Sequence, residues 1–302
     1  MSVSAQAEPI TNAMTVDVED YFQVAAFDGC IRREDWSRWP ARVEANTRRI
    51  LELFGESGVH ATFFTLGWVA ERWPALVRDI AASGHEVASH GFGHERLTAL
   101  DRGAFRDGVV RTKHLLEDIS GTQVSGYRAP SWSIGPTTLW AHQELRDAGY
   151  RYSSSIVPIR HDLYGMPAAP RFAFVAGPSG LLEVPATTVR FWGRNWPCGG
   201  GGFFRLLPYP LFSRGLKRVN GKERRPTVFY FHPWEIDPGQ PRVPGVSLKN
   251  RTRHYLNLKQ MAPRVGRLLR DFRFDRMDRV FPTGTGAEYP VVALAAAGTG
   301  PQ

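Results

Sequence analysis

Cysteine is nearly absent. Cys30 and Cys198 are the only two in 302 residues, and neither stands in a CxxC pair. That argues against a disulfide framework and fits a reducing compartment. Long apolar runs are also missing. The longest uncharged apolar stretch, YPVVALAAAG, is too short to span a bilayer. The opening residues MSVSAQAEPITNAM show no basic region leading into an apolar stretch, so no signal peptide is expected and the chain reads as cytoplasmic. There is no internal repeat. No zinc-finger spacing or nucleic-acid-binding signature accompanies the basic residues, so no nucleic-acid partner is expected.

What is present is an ordinary globular composition, 42% hydrophobic and 22% charged, with a formal charge of +9 and nine Trp. The aromatics suit either a sugar-binding groove or a large core. The cations gather late, as Arg214, Lys217, Arg218, Lys222, Arg224 and Arg225, then Arg264, Arg267, Arg270 and Arg273 at spacing three. Solvated helix faces and loops account for such runs.

Apolar runs alternate with helical patterns. MTVDV, ATFFTL, HEVASH, VSGYRAP, YRYSSSIVP and PTVFYFHPW read as strands. Between the first five fall four helical segments, among them ARVEANTRRILELFGESG and PALVRDIAASG, which close on Gly. Such alternation implies parallel pairing, in an open doubly wound sheet or a barrel, with chemistry at the carboxyl ends of the strands. Residues 1–13 and 284–302 are expected to be disordered. Residues 14–283 are expected to form one domain, with a less regular insertion at 157–226 and a helical extension at 236–283. Pro263 is expected to break or restart the helix at 252–271.

Four clusters carry chemistry. Asp17, Glu19 and Asp20 crowd the end of the first strand, where three carboxylates repel unless a cation compensates. His90 and His94 stand in SHGFGH at a spacing that puts both imidazoles on one side of a turn. Two histidines and one carboxylate would hold a divalent metal and leave positions open for water. Arg128, in the proline-stiffened GYRAPSW, can clamp a carboxylate. His232, in FYFHPWE, ends an apolar strand as either a core residue or a general acid.

In this order the motifs TVDVED, SHGFGH, RAPSW and FYFHPWE resemble the polysaccharide deacetylase family, carbohydrate esterases with the NodB homology domain. VDVEDYFQV, GWVAER, RHDLYG, GGGGFFRLLP, HPWEIDP and RHYLNL further resemble the subgroup found with exosortase-type exopolysaccharide gene clusters. The resemblance implies an α/β fold, a distorted or incomplete (β/α) barrel of NodB type with a C-terminal extension particular to the subgroup. It implies metal-dependent hydrolysis of N-acetyl groups on an exopolysaccharide or its precursor, with one divalent ion, zinc. Asp17 would be the general base, Arg128 its orienting partner and His232 the general acid. His90, His94 and Asp20 would be ligands, with Glu19 as the alternative to Asp20. Ser131 and Trp132 would meet the substrate. The family's fourth motif has an aspartate that tunes the acid histidine, but YRYSSS puts Ser153 there. Either activity falls or another acid, such as Asp162 or Asp237, substitutes. The alternatives are a silent glycan-binding protein and a hydrolase of small non-sugar amides. Meeting an exported polymer from the cytoplasm would require work on precursors at the inner membrane face or peripheral association with membrane polysaccharide machinery.

Overall fold

The computed structural model describes residues 9–161, 164–284, 286 and 288–295. Its strands are β1 (Thr11–Val18), β2 (Thr62–Thr65), β3 (Glu86–Ser89), β4 (Gly126–Tyr127), β5 (Tyr152–Ser153), β6 (Phe174–Gly177), β7 (Leu181–Glu183), β8 (Thr188–Phe191), β9 (Arg194–Pro197), β10 (Val228–Phe231), β11 (Arg273–Asp275) and β12 (Val291–Ala293). The helices are α1 (Val43–Ser57), α2 (Gly67–Arg72), α3 (Pro74–Ala82), α4 (Arg102–Ser120), α5 (Ala141–Asp147), α6 (Gly201–Leu206), α7 (Tyr209–Arg218), α8 (Leu248–Tyr255), α9 (Leu258–Asp271) and α10 (Met277–Val280).

The sheet order is β10-β1-β2-β3-β4-β5-β7-β6-β12, with β11 added beside the start of β1. Every pairing in it is parallel except β6 with β7. Beyond its first residue β1 is buried throughout, as a strand covered on both faces must be. The punctuation read from sequence works physically. Gly58 and Gly121 end α1 and α4 in the left-handed region, and Asp101 caps α4 by accepting from the Ala104 amide. One core joins residues from Met14 to Phe274.

No ladder joins β10 to β7 among the described residues, so the barrel stays open and distorted. The gap is bridged piecemeal. The Val228 amide donates to Thr187 Oγ1 (2.6 Å) and the Tyr230 amide to the Gly199 carbonyl (2.8 Å). The glycine run makes this bridging feasible. A Cβ on Gly199 would collide with the Val228 carbonyl, on Gly200 with the Tyr230 hydroxyl, and on Gly201 with the Glu235 carboxylate.

Four expectations change. The first strand begins at Thr11, inside the stretch expected to be disordered, because β11 pairs with it there. In the expected tail, β12 pairs with β6; residues 1–8 and 296–302 lie outside the described set. From Phe174 to Arg218 the insertion at 157–226 carries two antiparallel pairs and two helices, while its first part stays irregular among the described residues. The C-terminal helices break at Asn257, which is left-handed (φ 53°), and Pro263 lies inside α9 without ending it. Pro263 and Lys259 are both on the exposed side, so the carbonyl freed by the missing N–H can face water.

The glycine contacts give a paired test. Gly201→Ala should destabilise the protein by about 1–3 kcal/mol through overpacking against Glu235. Gly202→Ala, which has open space around its Cβ, should be neutral or stabilise by up to about 1 kcal/mol through helix propensity. Thermal denaturation of both variants measures the contrast, and equal melting temperatures would contradict it.

Candidate active and metal site

The carboxyl ends of β1, β3, β4 and β10 converge on one buried mouth. Arg128, fully buried, lies just beyond β4. Its Nη1 donates to Asp17 Oδ1 (2.6 Å) and Thr15 Oγ1 (2.8 Å), while Nε and Nη2 donate to the Ser154 carbonyl and hydroxyl (both 3.1 Å). The guanidinium lies against the rings of Phe64 (4.1 Å), Trp132 (4.8 Å) and Tyr230 (5.6 Å). Asp17 therefore has one oxygen fixed, and its Oδ2 lies 3.8 Å from His232 Nε2.

His90 Nδ1 is 2.9 Å from the Arg128 carbonyl. A carbonyl only accepts, so Nδ1 carries the hydrogen and the Nε2 lone pair is free to bind a metal. Burial pushes His90 down to about 4, which keeps the ring neutral, the form that ligates. His94 is held in the left-handed region (φ 57°), and its Nε2 lies 2.7 Å from Glu19 Oε2. Burial would raise the Glu19 carboxyl, but His94, His232 and His90 outweigh it and hold the group well below the usual range.

Glu19 Oε2 is buried, and the short approach of His94 Nε2 to it is not aligned as a hydrogen bond. An orphaned anionic oxygen beside two imidazole nitrogens fits a cation. One ligand atom from each of Glu19, His90 and His94 lies within 4.8 Å of the others, a spread suited to ligands bound at about 2.0–2.2 Å.

Asp20 is placed elsewhere. Its Oδ1 accepts from the Tyr21 amide (2.8 Å), and its Oδ2 accepts from the Arg42 (2.6 Å) and Val43 (2.9 Å) amides at the start of α1. Burial still pushes its carboxyl up to about 6. The expectation for Asp20 as ligand is corrected in favour of its alternative, Glu19. The chain does leave the strand at Asp20, but it turns that carboxylate toward α1. Ser131 and Trp132 follow Arg128 with positive φ (54° and 55°), and Trp132 is buried over the guanidinium.

Residues 27–153 match the family model described as polysaccharide deacetylase, and residues 154–282 match a domain of unknown function (DUF3473). Among curated relatives, a peptidoglycan deacetylase of Helicobacter pylori is 28% identical over 50% of this chain and 51% of its own length. A chitooligosaccharide deacetylase of Rhizobium leguminosarum bv. trifolii is 33% identical over 30% of this chain and 51% of its own. The chain thus spans about half the length of these relatives. A solved structure from Mycobacterium smegmatis, assigned to the polysaccharide deacetylases, superposes with a TM-score of 0.60 at 19% identity, covering 92% of this chain and 91% of that one, and so shares its fold.

His90, His94 and Arg128 lie in the stretch matched by the polysaccharide deacetylase model, His232 falls in the second matched region, and Asp17 and Glu19 precede both. Around His232 is an acid that sequence reasoning missed. Glu235 Oε1 accepts from His232 Nδ1 (2.8 Å), and its other oxygen accepts from Arg205 Nε (2.6 Å). Arg205 also donates to the carbonyls of Arg253, His254 and Leu256 at the end of α8. Trp234 stacks on His232 (5.2 Å, 17°) and donates to Glu19 Oε1 (3.2 Å). The signal was available as Glu three residues after His in HPWE, where a 3-10 turn brings the two together. Neither expected substitute fills this place: Asp237 pairs with Arg42 (2.8 Å), and Asp162 lies outside the described residues. Ser153 donates to Ser155 Oγ (2.8 Å).

His90→Ala, His94→Ala and Glu19→Gln should each abolish stoichiometric zinc or cobalt binding with the circular dichroism spectrum retained. Asp20→Ala should keep the metal and lower stability by about 1–3 kcal/mol, because buried amides lose their acceptor. Elemental analysis and thermal melts separate the two classes; a metal-free Asp20→Ala beside a metal-loaded Glu19→Gln would reverse the assignment.

Proposed function

We propose that this chain is a metal-dependent hydrolase that removes N-acetyl groups from a glycan, an exopolysaccharide or its precursor, and releases acetate. The observation that carries the reading is Asp17 and His232 facing each other 3.8 Å apart beside the Glu19, His90 and His94 cluster. A silent binding protein has no need of a paired base and acid at a metal site. The known activities of relatives that deacetylate peptidoglycan and chitooligosaccharide support the same reaction class. The exopolysaccharide substrate rests on the motif resemblance, as does the choice of zinc. Among the described residues no helix is long and apolar enough to cross a membrane. The polymer or its precursor would be met from the cytoplasm at the inner membrane face.

Glu19, His90 and His94 would hold the ion. A divalent cation there would supply Lewis-acid polarisation of the acetyl carbonyl and acidify the attacking water. Asp17, aimed by Arg128, takes the proton of that water as its oxygen attacks the acetyl carbon. The Ser131 amide would stabilise the charge on the carbonyl oxygen, whereas those of Trp132 and Ser133 already donate to the Ala129 and Pro130 carbonyls. His232 gives its proton to the sugar nitrogen as the C–N bond breaks, leaving acetate and a free amine. Glu235 accepts from Nδ1 and so leaves Nε2 as the proton-bearing atom that faces the site.

Burial alone would lower the His232 pKa, but Glu19, Glu235 and Asp17 outweigh it and lift the ring to about 9. The protonated ring is the working acid, so activity falls as pH rises through its pKa. Removing one lifting charge with Glu235→Gln should therefore move the alkaline limb of the kcat profile to lower pH. Asp17→Asn and His232→Ala should each retain metal and lose about 10²–10⁴-fold in acetate release from N-acetylated glycans. Normal turnover in either, or no acetate from any such glycan with metal supplied, counts against the proposal.

Ser153→Asp should bring no gain. Glu235 already serves His232, and a new carboxylate would be buried close to Glu183, whose carboxyl accepts from the Ser155 and Ile156 amides (2.8 and 2.9 Å). A rise in turnover would show that the fourth motif still limits this site.

A further inference from the structure

The pair β8 and β9 forms a sheet of its own, outside the barrel. Its turn is Trp192-Gly193, with φ of 47° and 74°. Both values are positive, the geometry that favours Asn-Gly. A bulky Trp in the first position is strained, and it gains nothing by burial because Trp192 is 95% exposed. Phe191 and Trp196 on the same hairpin are 40% and 50% exposed. Folding does not explain three exposed aromatics on one short hairpin.

The surroundings are apolar and uniformly cationic. Arg190 and Arg194 are exposed on the hairpin itself. α7 packs beside β8, where a Cβ on Gly215 would meet Cys198 and Val189. Leu211, Gly215 and Arg218 follow at helical spacing, so they share that stripe. Leu211 is 52% exposed, and the Arg218 guanidinium lies 4.9 Å over the Phe191 ring. Arg214 and Lys217 are exposed on the same helix. Residues 184–222 contain no acidic residue.

We propose that the β8–β9 hairpin and the adjoining face of α7 dock this protein on an anionic lipid bilayer. Trp192 enters the headgroup boundary, Leu211 and Trp196 add apolar area, and the arginines pair with lipid phosphates. A nucleic-acid platform would have no use for an exposed leucine. A sugar platform needs acceptors as well as donors beside its rings, but the hairpin carries no carboxylate, its exposed arginines only donate, and its one amide side chain, Asn195, donates to the Pro158 carbonyl (2.8 Å). The proposal is independent of the deacetylase reading, because it is read by lipid partitioning without turnover.

The full chain should sediment with vesicles of equal parts phosphatidylcholine and phosphatidylglycerol, and not with phosphatidylcholine alone. Partitioning should weaken as salt is raised, and tryptophan emission should shift to the blue on binding. Trp192→Asn suits the turn and keeps the fold, so its loss of partitioning, about tenfold, reports the lipid contact itself. Arg190→Glu with Arg194→Glu should abolish partitioning. The proposal is overturned if the wild-type chain ignores anionic vesicles or if Trp192→Asn partitions unchanged. Trp192-dependent binding of single-stranded DNA or of N-acetylglucosamine oligomers instead of vesicles would overturn it in favour of those partners.

Discussion

The Arg128 guanidinium, with no exposure to solvent, is the point at which the functional end of the barrel is tied together. A buried cation is costly unless its donors are met, and removing one partner of such a pair costs about 3–5 kcal/mol. Arg128 meets that cost by reaching Thr15 and Asp17 on β1 and Ser154 beyond β5, across strands far apart in sequence. Its own carbonyl accepts from His90 Nδ1. One residue therefore fixes an oxygen of Asp17 and the tautomer of His90, the first by its side chain and the second by its backbone. Both groups are set before any substrate arrives, the condition under which fixed charges are most useful to a reaction.

The site draws on three stretches of chain: β1 with Asp17 and Glu19, which precedes both matched regions, and the two matched regions themselves. The first matched region brings the imidazole pair and Arg128. The second region brings His232, and much of its otherwise unexplained sequence serves that ring. Gly201 is needed because Glu235 lies over it; Arg205, four residues on, holds Glu235 and the end of α8; His254 of α8 stacks on Trp234 (4.1 Å, 12°), which stacks on His232. GGGGFFRLLP, HPWE and RHYLNL thus form a continuous packed support behind one histidine. A support of this kind fixes the position of the His232 ring closely.

Much of this was legible. Helix punctuation by Gly and Asp101, the parallel alternation, and the convergence of Asp17, His90, His94, Arg128 and His232 all follow from local pattern and strand polarity. What was not legible depended on long-range pairing. Nothing local says that Thr11 is strand, because its reason is β11, more than 250 residues later. Pro263 reads as a break until its exposed position in α9 is known. Ser153 reads as a lost acid, but the carboxylate that accepts from His232 comes from another strand's end. The sequence shows which residue is missing from a motif, whereas only the fold shows which side chain occupies the space.

The choice between Glu19 and Asp20 shows the same limit at shorter range. Asp17, Glu19 and Asp20 are all buried within 2% exposure, so their mutual repulsion cannot be relieved by water. Each is compensated differently. Asp17 has a guanidinium. Asp20 has three peptide amides, two of them from the chain entering α1. Glu19 has only the Trp234 N–H on one oxygen, with imidazoles near the other and no hydrogen bond to it. Strand alternation puts Asp17 and Glu19 on the same face, and the longer Glu side chain reaches past Asp17 to the histidines. Asp20 begins the next turn and spends its charge on backbone. The carboxylate best suited to a metal is thus the one compensated by imidazoles, which can themselves ligate, and not the one committed to backbone amides, which follows from where the strand ends and not from which acid is shorter.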